Sequence, residues 1–183
     1  MSTNGGHHET DKKPQQVGDP RPSAWVARWA TLIRPGGEVL DVACGAGRHA
    51  RLLARMGFEV DAVDRDPALF ADPPQGVRLL KADIEGQSWP YAGRRFDGIV
   101  VTNYLHRPLL PVLVDSLEPG GILVYETFAQ GNERFGKPSN PAFLLAPGEL
   151  LDAVRGRLRV LAYEDLVIEA PRPAAVQRIC ARA

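Results

Sequence analysis

The sequence predicts an α/β fold: a doubly wound, mostly parallel seven-stranded sheet with an antiparallel C-terminal edge strand. Three observations lead there. Apolar runs of strand length alternate with amphipathic segments of helix length, the pattern of βα units on a parallel sheet. Glycine and proline punctuate those runs, as at Pro35-Gly36-Gly37 and Pro119-Gly120-Gly121. The first run, Val39-Leu40-Asp41-Val42, feeds into a glycine-bearing turn, Ala43-Cys44-Gly45-Ala46-Gly47, that opens a helix.

The elements follow in order. Residues 1–22 are polar and almost without apolar side chains, too little surface to offset ordering entropy, so a disordered tail is expected. The pair His7-His8 within it reads as solvated residues, and no metal site is expected. Order begins at Ser23, a helix N-cap, with Trp25, Trp29 and Ile33 on one helical face. The domain then runs over 23–183. Strands are expected at 38–42, 58–64, 77–83, 96–103, 122–128, 158–164 and 175–181. Helices are expected at 46–56, ended by Gly57, at 108–117 with Pro111 in the first turn, and at 149–154. Residues 129–147, rich in Gly, Pro, Asn and Arg, are too long for an ordinary connection and read as a functional lid or a disordered loop.

Composition narrows the function. The 22 basic and 22 acidic side chains cancel, so no overall charge favours nucleic acid or an anionic membrane. No apolar run is long enough to span a bilayer and no signal-peptide core is present. Cys44 and Cys180, the two cysteines, read as reduced and structural, in keeping with a cytoplasmic protein.

The turn carries the chemistry. Glycine lets backbone approach a ligand closely, and the helix behind it aims free N–H groups at whatever lies above. Gly45-Ala46-Gly47-Arg48-His49-Ala50 fits G-x-G-x-x-G/A, and Asp64 ends the next strand where a ribose-binding acid belongs. Taken alone, that Rossmann-like fingerprint suggests NAD. Asp41, inside the strand end, is placed either to anchor an ammonium group or to cap backbone N–H groups. Asp83, ending the third strand, is placed to accept from an adenine amino group.

This ordered set resembles the class I S-adenosylmethionine-dependent methyltransferases, and among them the compact bacterial, tellurite-resistance-type group. Val39–Gly47 matches the first motif, Val60–Asp64 the acidic second strand, and Ala82-Asp83-Ile84 the adenine motif. Phe96–Val100 matches the strand before the catalytic pocket, and Leu117–Gly121 the turn into strand five. Ala43 departs from the pattern, standing where the family's first glycine usually is. The resemblance implies S-adenosylmethionine as cofactor. The backbone of Ala43, Gly45 and Gly47 would line its methionine portion and Asp41 would organise the ammonium. Asp64 would take the ribose hydroxyls with Arg65 flanking the adenine, and Asp83 and the Ile84 backbone would read the adenine edge.

Methyl transfer needs orientation and, for a protic acceptor, a base. Candidates belong at the carboxyl edge of the fourth and fifth strands. His106 is the natural general base because its ordinary pKa lies near neutrality; the alternative is a histidine bonded to backbone. Tyr104 either faces the methyl group or packs in the core. Asn103 stands where some relatives orient a target nitrogen, although Leu105 and His106 break that motif. Tyr125 and Glu126 either face the acceptor or, for Glu126, pair with an arginine. Arg107, Arg134 and Lys137 would together favour a carboxylate or phosphate acceptor if the long loop folds over the pocket. Trp25 and Trp29 either cover the cofactor or pack on the sheet.

The sheet uses nearly the whole chain, so a small-molecule acceptor is expected, with no nucleic-acid partner and a monomer or homodimer as the assembly. Two other functions are weighed. An NAD(P)-dependent oxidoreductase would need a Tyr/Lys-type pair that is not evident. A non-catalytic S-adenosylmethionine-binding module would show an intact turn beside an occluded acceptor pocket.

Overall fold

The computed structural model describes residues 21–183, so the expected tail lies outside the described residues except for Arg21 and Pro22. Seven strands form one sheet in the order β3-β2-β1-β4-β5-β7-β6. They are β1 Glu38–Val42, β2 Glu59–Asp64, β3 Val77–Lys81, β4 Phe96–Thr102, β5 Leu117–Phe128, β6 Arg159–Ile168 and β7 Ala174–Arg182. β1 to β5 pair in parallel, whereas β7 inserts antiparallel between β5 and β6. The expected doubly wound sheet with an antiparallel C-terminal edge is present.

Local chemistry sets the helix ends. The Ser23 side chain accepts from the Trp25 N–H and starts α1, Ala24–Trp29. Helix α2, Arg48–Arg55, opens at Gly47 in the left-handed conformation (φ 74°) and stops one residue before the Met56–Gly57 turn. Pro111 lies in the first turn of α3, Leu109–Asp115, where a missing N–H costs nothing. Helix α4, Glu149–Val154, follows Gly148.

Two apolar layers flank the sheet. Trp25, Val26, Ala50 and Leu53 pack with Val39, Val60 and Val100 on one face, and Leu109, Leu113, Leu150 and Tyr125 pack with Leu40, Val42 and Ile99 on the other. The β2–β3 and β3–β4 connections hold no α-helix, only the 3-10 turn Pro67–Leu69 and bends. Pro67, Pro73, Pro74 and Gly76 break the first connection, and Gly86, Pro90 and Gly93 the second. β3 is consequently the least buried of the parallel strands.

Strand β5 begins at Leu117, five residues earlier than expected, because Glu118–Gly121 forms a bulge within it. A side chain at Gly121 would stand 2.8 Å from the Glu118 carbonyl, so the bulge requires glycine. The segment 129–147 is folded: it carries 3-10 turns at Asn132–Arg134 and Pro141–Phe143, buries Leu144 and Leu145, and bridges Ala129 to Leu145. Side-chain hydrogen bonds hold it. Asn132 donates to the Pro138 carbonyl and accepts from the Ala175 N–H, and Gln177 donates to Ala146. Cys44 and Cys180 are both buried free thiols.

Candidate functional site

The parallel registers Val42↔Val63, Val42↔Val101, Asp64↔Lys81 and Val101↔Tyr125 bring the carboxyl ends of β1 to β5 to one edge. Backbone hydrogen bonds continue past the strands, from Cys44 N–H to Val63, Ala82 N–H to Asp64 and Asn103 N–H to Glu126. That edge gathers the sequence-predicted residues.

Asp64 shapes the turn. Its Oδ2 accepts from the Gly45 N–H and its Oδ1 from the Asp66 N–H, each at 2.8 Å. Each carboxylate oxygen keeps a further lone-pair direction. Gly45 (φ 53°) faces open space. Gly47 is different, since a Cβ there would come within 2.2 Å of the Phe70 ring. Gly47→Ala is therefore expected to lower stability by about 3 kcal/mol, from a left-handed backbone penalty of about 1–2 and overpacking of about 1–3. Urea denaturation reads this directly, and an unchanged midpoint would mean that Phe70 yields freely.

Ala43 holds φ 53°, the left-handed conformation that a glycine would adopt with less strain. The Asp41 carboxylate is only 1% exposed, and its Oδ2 accepts from the Ala50 N–H at 2.9 Å, so the capping alternative describes its contact. Burial pushes Asp41 up to about 7. At the end of β3, Asp83 Oδ1 accepts from the Glu85 and Gly86 N–H groups, which hold its carboxyl below the usual range. Ile84 is half-buried beside it and Arg65 is exposed.

Beyond β4, Asn103 takes φ 55° and is exposed. Tyr104 and Asn103 line a cavity of about 330 Å³, closed by Thr127 and Phe128 of β5 and by Pro138 and Phe143 of the long segment. The Tyr104 hydroxyl is buried and has no hydrogen-bond partner among the described residues. Burial, followed by the Glu85 carboxylate, pushes its pKa up. His106 is half-buried, with Nδ1 4.0 Å from Glu85 Oε2. A larger hollow of about 480 Å³ lies at the opposite end of the sheet, between Arg34, Glu38 and Asp97, away from these groups.

Several alternatives are resolved. Tyr125 is buried and donates to the Tyr104 carbonyl. Glu126 pairs with Arg178 at 3.1 Å. Trp25 packs on the sheet, donating to the Ile179 carbonyl, with Trp29 against it. Arg107 does not face the cavity as a free cation. It is bound to Glu149 and to the carbonyls of Ala142 and Leu144, pinning the long segment in place. Arg134 donates to the Gly131 carbonyl and lies over Phe135.

Sequence reasoning missed His49 and Glu85. His49 is 2% exposed; its Nε2 accepts from the Ser23 N–H, so its Nδ1 carries the proton toward the Thr102 hydroxyl 3.2 Å away. Burial and Arg48 lower its pKa to about 3. The Ser23 hydroxyl donates to Glu126, so His49 and Glu126 together clamp the start of α1 to the strand ends. The signal for His49 was available: a histidine four residues before Leu53, on the apolar face of α2.

Known proteins share the fold. Protein-L-isoaspartate O-methyltransferase of Chlorobaculum tepidum is 29% identical over 117 residues, 60% of this chain and 54% of that protein. The chain thus spans about half the length of that curated relative. TehB from Haemophilus influenzae shares the fold with a TM-score of 0.70 at 21% identity, over 86% of this chain and 60% of that one. A Burkholderia thailandensis 1,6-didemethyltoxoflavin-N1-methyltransferase, solved with 1,6-didemethyltoxoflavin and S-adenosylhomocysteine bound, superimposes with a TM-score of 0.60 at 20% identity, over 86% of this chain and 76% of that one. Residues 17–152 match the methyltransferase domain family. With most of its length inside that match and the five motifs in order along the sequence, the chain belongs to the class I S-adenosylmethionine-dependent methyltransferase family.

Proposed function

We propose that the chain transfers a methyl group from S-adenosylmethionine to a small-molecule acceptor held in the cavity over β4 and β5. The observation that carries this reading is the junction of two features at one edge: the open Gly45 turn held by Asp64, and the cavity lined by Asn103 and Tyr104. The residues fit the cofactor. Open space above Gly45 admits its methionine portion, and the remaining lone pairs of Asp64 suit ribose hydroxyls. Asp83 Oδ2, which accepts no hydrogen bond among the described residues, suits an adenine amino group. Asp41 acts on the ammonium end through the turn it supports.

S-adenosylmethionine supplies an electrophilic methyl whose sulfur leaves as a neutral thioether without needing a proton. The chain orients the two reactants and removes the acceptor's proton when it has one. His106 is the base, steadied by Glu85. Asn103 and Tyr104 position the acceptor. His106→Ala is expected to lower kcat by about 100-fold, the lower end of general-base effects, while the Kd for S-adenosylhomocysteine stays within twofold. A kcat within threefold of wild type would remove His106 from the reaction.

Calorimetric titration with S-adenosylmethionine, S-adenosylhomocysteine and NAD tests the cofactor, and release of S-adenosylhomocysteine across an acceptor panel tests the reaction. Binding of the adenosyl pair alone is expected. Binding of NAD in their place would overturn the reading. An isoaspartyl peptide belongs in the panel because the Chlorobaculum relative carries that activity in its name; turnover of the peptide without turnover of small molecules would move the acceptor to protein.

A further inference from the structure

Resting on that reading, we propose that the acceptor is a flat aromatic or heteroaromatic molecule, neutral or cationic, that presents an O–H or N–H to Glu85. The walls decide its shape. Three aromatic residues, Tyr104, Phe128 and Phe143, line a cavity of about 330 Å³, room for a bicyclic ring system. Phe143 is 52% exposed at the rim, although it belongs to a segment otherwise pinned by Arg107. An aromatic ligand would cover this ring, and offset or edge-to-face ring pairs are favoured over aliphatic contact.

The charge around the cavity decides polarity. Among the described residues, Glu85 is the one carboxylate lining it, and no arginine or lysine does. Arg107, the nearest sequence candidate for an anion, is consumed by Glu149 and two carbonyls. Asp83 lies two residues from Glu85 and, like it, acts on the Tyr104 phenol, with the exposed Arg65 opposing both from outside the cavity. A carboxylate or phosphate placed here would meet like charge with no cation lining the wall. A hydrogen-bond donor would instead meet Glu85 beside the buried Tyr104 hydroxyl. In the transfer, the acceptor's O–H or N–H bond breaks as its bond to carbon forms. The C–S electrons stay on sulfur, and the proton passes by way of Glu85 to His106, whose Nδ1 lies 4.0 Å from Glu85 Oε2.

Three probes sharing one bicyclic frame test this by titration into the protein saturated with S-adenosylhomocysteine: 2-naphthol, 6-hydroxy-2-naphthoate and decahydro-2-naphthol. The naphthol is expected to bind at least tenfold more tightly than either of the others. Glu85→Gln should reduce the discrimination against the naphthoate to within about threefold, and Phe143→Ala should weaken the naphthol about fivefold. Equal or tighter binding of the naphthoate overturns the charge argument. Equal binding of the saturated alcohol, or no binding by any probe, overturns the aromatic one. Failure of S-adenosylhomocysteine itself to bind is a separate result and counts against the cofactor reading.

Discussion

Asp64→Ala is expected to weaken S-adenosylhomocysteine binding at least about 100-fold, because hydrogen bonds to a charged group contribute about 1.5–3 kcal/mol each and two ribose hydroxyls lose theirs. The substitution has a second consequence. The Gly45 N–H, held at 2.8 Å by Asp64, loses its acceptor, and the turn that should face the methionine portion is released. Asp64→Asn separates the two effects. Its amide oxygen still accepts from Gly45 while the charge is gone, so an intermediate loss of about tenfold is expected, each hydrogen bond weakening from charge-assisted to neutral. Calorimetry gives the affinities, and the thermal midpoint without ligand shows whether the fold has been damaged. An affinity within threefold of wild type for Asp64→Ala, with the midpoint unchanged, would take the cofactor away from the end of β2.

How much of this site could be read from the sequence depends on the distance over which each interaction is encoded. The turn at Gly45 and Gly47, the acidic ends of β2 and β3, and the capping alternative for Asp41 are local. A strand ending in Asp and a glycine adjoining a helix are visible within a dozen residues. Arg107 is the opposite case. Its cationic side chain suggested an anionic acceptor, but its partner Glu149 lies 42 residues away, and no periodicity reports such a pair. Longer separations, 103 residues to Ser23 and 52 to Arg178, left Glu126 open between facing the acceptor and pairing with an arginine. The length of segment 129–147 suggested a functional lid or a disordered loop, and its folded state was not legible. Its order comes from Asn132, Gln177 and Arg107 satisfying backbone groups, a pattern that polar loop composition conceals.

Between about pH 4.5 and 6, two substitutions one turn apart are expected to tilt stability in opposite directions. Asp41 has a raised folded-state pKa of about 7 against an ordinary 3.8. The folded state therefore binds the extra proton, and acidification through this window stabilises it. His49 has a lowered folded-state pKa of about 3 against 6.5. Here the unfolded state binds the extra proton, so the same acidification destabilises the fold. Each full proton of difference gives a slope of about 1.4 kcal/mol per pH unit, and in the wild type the two oppose each other. The carboxylates of Asp61, Asp83 and Asp97 have lowered pKa values, so their contributions are lost on acidification through and below the ordinary carboxylate range, under this window. Asp41→Asn keeps an oxygen for the Ala50 N–H and removes the titration. Its stability should fall by about 1.4 kcal/mol per unit as the pH drops. His49→Gln removes the opposing group, and its stability should rise by a similar amount per unit, from whatever lower starting value the lost clamp on Ser23 imposes. The double variant should again be nearly flat. Urea unfolding at half-unit steps of pH reads all four proteins, and parallel profiles for wild type and both single variants would show that neither buried group titrates as its surroundings require.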